Sequence, residues 1–173
     1  MPDLPQFAEL VWAQAELAAS CGSAITLLPE SSLHMTVFEL LTDMTRIPEK
    51  WSSKLALDAP LAETDPFFRR VVPPIPAPTS LAMTFGEAGP LTQAIGVRLK
   101  PEATGLRFPD HDSYRFRISL AYRILMGGEH QRALDAAMAR VSARLARAFG
   151  VFRPAPAQLV FFEDMFAFRG ERH

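Results

Sequence analysis

The stretch "YRFRISLAYRI" (residues 114–124) alternates apolar and polar side chains along its length. A β-strand sends successive side chains to opposite faces, so this rhythm predicts a strand with one face in a core. Strict alternation puts Tyr114, Phe116, Ile118, Leu120, Tyr122 and Ile124 on the core face. Arg115, Arg117, Ser119, Ala121 and Arg123 take the other face, which is cationic and carries one hydroxyl beside one arginine. Upstream, "LHMTVFEL" (33–40) has a similar rhythm. Leu33, Met35 and Val37 share one side; His34, Thr36 and Phe38 share the other. His34 and Thr36 then stand side by side, about 7 Å apart along the strand. Both stretches contain a basic residue, a spacer, a hydroxyl residue and an apolar residue, in that order.

Outward from these two strands, the chain reads as an α+β domain. Residues 5–21 form a helix with Phe7, Leu10, Val11, Leu17, Ala18 and Cys21 on one stripe, Asp3 as a cap, Pro5 in its first turn and Gly22 after its end. "AITLLP" (24–29) is a strand, paired as a hairpin with 31–40 around Pro29 and Glu30. Short helices are expected at 47–55 and within 59–72. "VPPIPAPTS" (72–80) is too rich in proline for a helix or an interior strand, and it is read as an extended crossover between two lobes. Strands at 81–88 and 92–101 flank a turn at Gly89-Pro90. Residues 128–150 show the clearest helical periodicity, with Leu134, Ala137, Met138, Val141, Leu145, Ala148 and Phe149 as the buried stripe. Residues 158–170 are a last strand, apolar on both faces and so central.

The formal net charge of −1 argues against indiscriminate binding of nucleic acid or anionic membrane. An anion site must therefore come from local placement of basic side chains. A single cysteine, Cys21, leaves no partner for an internal disulfide and suits a reducing compartment. The first ten residues lack a basic segment followed by an apolar one, and no apolar run is of membrane-spanning length. The expectation is a cytoplasmic chain with no membrane partner. There is no phosphate-binding GxxxxGK[ST] loop, HExxH, GxSxG or cysteine–histidine cluster, so neither a metal nor a cofactor is expected. Arg140, Arg144 and Arg147 form a ridge on the long helix, read as a solvated face rather than an RNA contact.

"LHMTVFEL" resembles the first signature of the two-histidine (2H) phosphoesterase superfamily, and "HDSYRFRISLAYRI" (111–124) resembles the second. The wording is closest to a branch of uncharacterised function in which "HMTVF", a "GPLTQAIGVRL"-like strand, a "DSYRF-ISLAY" strand and a late "FEDMF" segment follow in this order. The resemblance implies one domain over residues 1–173 with two pseudo-symmetric lobes. Each lobe would carry a small antiparallel sheet beside a central cleft, with helices outside. It also implies a strand ahead of the first helix, which this sequence does not contain. The chemistry it implies is metal-independent hydrolysis of a cyclic phosphate or of a nucleotide or RNA-end phosphodiester. Two histidines act there as acid and base, and the Thr/Ser hydroxyls hold the phosphate.

The second histidine of that pattern falls at Arg117. Histidine exchanges protons near neutrality because its reference pKa is about 6.5. Arginine keeps its proton, with a pKa above about 12, but offers a fork of donors to phosphate oxygens. The substitution trades proton transfer for anion binding. The resemblance therefore assigns His34 as the catalytic residue and Thr36, Arg117 and Ser119 as phosphate ligands. The alternative is a non-catalytic nucleotide- or phosphate-binding module of the same fold. Tyr114 and Tyr122 are set aside as core-facing by parity, and Glu39 points away from His34.

Overall fold

Four antiparallel strands in the order β1-β4-β3-β2 make the main sheet of the computed structural model, which describes residues 4–36, 41, 45–72, 82–91, 94–101, 116–125, 127–162 and 169–170. The strands are β1 (Ile25–Leu27), β2 (Met83–Leu91), β3 (Ala94–Pro101) and β4 (Phe116–Arg123). Helices α1 (Pro5–Cys21) and α3 (Gly128–Ala148) contribute to the same hydrophobic core as one face of this sheet, and α2 (Leu61–Val71) lies between β1 and β2 in the chain. A second, two-stranded antiparallel sheet pairs β5 (Val160–Phe161) with β6 (Arg169–Gly170). The class is α+β, as the sequence predicts.

Helix α1 starts on Pro5, whose fixed φ suits a first turn, and stops at Gly22, which adopts φ 50° and donates its N–H to the Ala18 carbonyl. Leu10, Ala13, Leu17 and Cys21 recur every three or four residues and are buried. Burial pushes the Cys21 thiol up from its ordinary value, against the opposing charge of Arg140. Two glutamines share the buried stripe, which hydrophobic periodicity did not foretell. Gln6 Nε2 donates to the Phe149 and Val151 carbonyls, each at 3.0 Å, beyond the end of α3. Gln14 Nε2 donates to the Leu28 carbonyl at 2.7 Å and the Leu120 carbonyl at 2.9 Å. Buried carbonyls stripped of donors are costly, so Gln14→Leu is expected to destabilise the fold by about 1–3 kcal/mol. Urea denaturation would show this as a lower midpoint with an unchanged slope.

Leu134, Ala137, Met138, Val141, Leu145 and Phe149 are buried as the periodicity of α3 requires, whereas Ala148 is exposed. The expected basic ridge is in part a seam between helices. Arg144 pairs with Glu9 through two bonds of 2.8 and 3.1 Å and stacks over Trp12 at 4.1 Å; Arg140 pairs with Glu16 at 2.6 Å. Hydrogen bonding from Arg144 holds the Glu9 carboxyl below its usual range, outweighing the upward push of burial. A carboxyl depressed in the folded state contributes stability above its unfolded pKa and loses it as pH falls through the folded value. Glu9→Gln should therefore lower the folding equilibrium constant a few-fold at neutral pH, and the two proteins should converge as acid protonates Glu9. Thermal melts across a pH series test this.

Three strand expectations need correction. The β2–β3 connection falls at residues 92–93 rather than at Gly89-Pro90, because Gly89 pairs with Gly96 and Pro90 with Ile95. Proline is tolerated there because β2 is the outermost strand of the sheet. The described part of the expected hairpin, residues 24–36, does not pair with itself. Glu30–Ser32 form a 3-10 turn, after which β1 and the segment at Met35 lie along the same edge of β4. Residues 158–170 are not one central strand: β5 and β6 pair with each other, and Phe162 is exposed. The helix expected at 47–55 is only a 3-10 turn at Pro48–Lys50. Asp3, most of the proline-rich segment at 72–80, His111, Tyr114, Arg115, residues 37–40 and the "EDMF" portion of the late motif lie outside the described residues. No described helix is long and apolar enough to cross a membrane.

Candidate functional site

The register of the main sheet brings the two signature stretches together. Met35 forms an antiparallel bridge with Ile118; Ile118 is buried in the core and Met35, half-buried, packs against it. In an antiparallel ladder the neighbours of such a pair face each other on the opposite side, roughly 5 Å apart at Cβ. His34 therefore sits beside Ser119, and Thr36 beside Arg117, on the face turned away from α1 and α3. Across β4, Arg98 stands opposite Arg117 and Gly96 opposite Ser119. All four sequence-predicted residues thus share one patch.

Backbone approach around Ser119 depends on Gly96. A Cβ at that position would run into the Ile118 carbonyl oxygen and lie 2.7 Å from Leu91 Cδ1. Glycine thus lets β3 and β4 close up beneath the hydroxyl. Next to it, Arg98 bonds Glu87 at 2.5 Å and the Pro90 carbonyl at 3.3 Å. Among the described residues no carboxylate forms an ion pair with Arg117, which is exposed.

His34 is half-buried, with Nδ1 2.7 Å from the Ser32 carbonyl. A carbonyl only accepts, so Nδ1 carries the hydrogen, and in the neutral ring the lone pair belongs to Nε2. The 3-10 turn that presents Ser32 is fixed by the Ser32 N–H and hydroxyl, which both donate to the Pro29 carbonyl, at 2.8 and 2.9 Å. Local chain geometry thus sets the tautomer of the imidazole.

Tyr122 meets the sequence reading in part: it is half-buried and packs against the core, but its place in the ladder is not the one strict alternation gives. Ile95 pairs with Ala121 while Gly96 pairs with Ser119, so β4 carries one extra residue, a β-bulge at Leu120-Ala121. Both bulge residues are fully buried. The alternation is reversed beyond them, and Tyr122 falls opposite Thr26 and Ala94 on the face of Arg117 and Ser119. Burial raises the Tyr122 phenol above its ordinary value, and the charge of Arg117 pulls it back. The signal in the sequence was the consecutive apolar pair Leu120-Ala121, which interrupts strict alternation.

A separate cleft of about 100 Å³ lies among Arg46, Trp51, Phe68 and Phe161. Arg46 covers Trp51 at 4.7 Å and donates to the Leu57 and Ala59 carbonyls, so its guanidinium braces the loop. None of the four candidate residues lines this cleft. Among the described residues, no three His, Cys, Asp or Glu side chains are grouped to hold a metal ion.

Residues 3–90, just over half of the chain, match the family model "2H-phosphodiest", described as a domain of unknown function (DUF1868). The chain belongs to this family. The matched part of this 2H-phosphodiest chain includes His34 and Thr36; Arg117 and Ser119 lie beyond it. The fold resembles the crystal structure of a conserved protein of unknown function, ATU0111, from Agrobacterium tumefaciens str. C58, with a TM-score of 0.78 and 25% identity. The likeness covers 99% of this chain and 80% of that one. No curated protein is significantly similar to this 2H-phosphodiest chain.

Proposed function

We propose that this 2H phosphoesterase-like protein hydrolyses a cyclic phosphate or a nucleotide or RNA-end phosphodiester in the cytoplasm, without a metal. The observation that carries the reading is the Met35–Ile118 bridge, which sets a basic, hydroxyl-bearing pair from one signature beside that of the other. His34 Nε2 takes the proton of an attacking water. The Thr36 and Ser119 hydroxyls and the forked Arg117 guanidinium bind the phosphoryl oxygens and meet the negative charge that grows on them. The chain is read as two lobes joined through residues 72–80.

The test is turnover of 2′,3′-cyclic nucleotides and short 2′-linked oligonucleotides by the wild-type protein and by His34→Ala. Wild-type hydrolysis abolished by the substitution supports the reading. Measurable nucleotide affinity without turnover overturns it in favour of a binding module. That second reading is favoured by one observation, the residue at 117, which binds anions but does not shuttle protons. Absence of both affinity and turnover ends both readings.

A further inference from the structure

Hydrolysis of a phosphodiester needs a proton delivered to the departing oxygen as well as one removed from water. Arg117 stands where the family resemblance expects the second proton carrier, and a guanidinium keeps its protons. His130 opens α3, the helix that packs with the other face of the sheet. The β4 bulge, in contrast, puts Tyr122, half-buried and packed in part against the core, at a ladder position on the face of Arg117 and Ser119. Leu120 and Ala121 share one place in the ladder, so Tyr122 lies only two strand steps beyond Ser119, about 7 Å along the strand. Its cross-strand neighbours, Thr26 and Ala94, are small. The face also grades from Arg117 and Thr36, which are exposed, through His34, Ser119 and Tyr122, which are half-buried, to Ala94 and Leu91, which are buried. A reacting phosphate held by Arg117 would turn its leaving group toward the drier, tyrosine end.

We propose that Tyr122 is the general acid of this site, giving its phenolic proton to the sugar oxygen that leaves phosphorus. The inference rests on the phosphodiesterase reading above. The step balances as follows. Water bonds to phosphorus as His34 Nε2 takes its proton, and the bond from phosphorus to the sugar oxygen breaks with its electron pair on that oxygen. Tyr122 Oη–H donates to it, and the imidazolium returns a proton to the phenolate through solvent. A sugar alkoxide is a stronger base than a phenolate, so the donation runs downhill. Burial keeps the phenol protonated at neutral pH, and the charge of Arg117 favours the transient phenolate. Bulges commonly re-aim a side chain beside an active site.

The experiment compares Tyr122→Phe with wild type on two substrates, a 2′,3′-cyclic nucleotide and a p-nitrophenyl phosphodiester of a nucleoside. Nitrophenolate leaves without a proton, so loss of a general acid affects only the first substrate. The expected result is a loss of about 10²-fold in kcat on the cyclic nucleotide and less than about twofold on the nitrophenyl ester. The second substrate also reports that the variant is folded. Equal losses on both substrates, or no loss on either, overturn the assignment of Tyr122 while the phosphodiesterase reading stands. Absence of wild-type turnover on both overturns that reading and this inference together.

Discussion

Replacing His34 by alanine should lower kcat/KM for 2′,3′-cyclic nucleotides by about 10²–10⁴-fold, which corresponds to roughly 3–5 kcal/mol of transition-state stabilisation. Among the described residues of the other signature there is no second imidazole, because residue 117 is arginine. Nucleotide affinity should change little, since the proposed phosphate ligands are Thr36, Arg117 and Ser119. Stability should also change little. The His34 contact to the Ser32 carbonyl spans two residues and is worth about 1 kcal/mol. His34→Asn sharpens the test, because an amide can still donate to Ser32 but has no basic nitrogen. Steady-state kinetics of both variants, with thermal melts as the control, decide the matter. Unchanged rates would remove His34 from the chemistry.

The parts of this site that were legible in the sequence are those governed by period. Alternation in 114–124 put Ile118 in the core and Arg117 and Ser119 opposite it, and the same parity separated His34 and Thr36 from Met35. The 3.6-residue rhythm gave α1 its limits and α3 its buried stripe. What escaped depends on pairing between distant segments. Neither stretch encodes that Met35 meets Ile118; that follows from where the 3-10 turn at Glu30–Ser32 delivers the chain against β4. The ladder position of Tyr122 escaped because one inserted residue shifts every later pairing, and a bulge exists only relative to a partner strand, although Tyr122 does pack in part against the core. Arg140 and Arg144 are solvated as read, but their pairing escaped because their carboxylate partners, Glu16 and Glu9, lie on α1, far away in sequence. Gly89-Pro90 looked like a turn because local composition does not reveal that β2 is an edge strand, where proline is tolerated.

Arg117→Ala should separate binding from folding. Charge-assisted bonds to phosphate contribute about 1.5–3 kcal/mol, so the Kd for adenosine 2′-monophosphate should rise by about 10–100-fold. Lysine should recover only part of this, because an ammonium is a point charge and does not grip two oxygens in a fork. Stability should move the other way. Arg117 lies directly opposite Arg98 in the β3–β4 register, and like charges so placed cost roughly 0.2–1 kcal/mol. Glu87 offsets the charge of Arg98 on its far side, but no described carboxylate does so for Arg117. The alanine variant should melt at the same temperature as wild type or slightly above it, while its ligand isotherm weakens. Arg117→His should weaken binding similarly yet raise kcat, because it places a proton carrier next to Thr36. Calorimetric titration paired with melting curves tests the whole pattern. A variant that loses stability and keeps its affinity would make Arg117 a structural residue of the sheet, and a phosphate held between the two signatures would no longer be tenable.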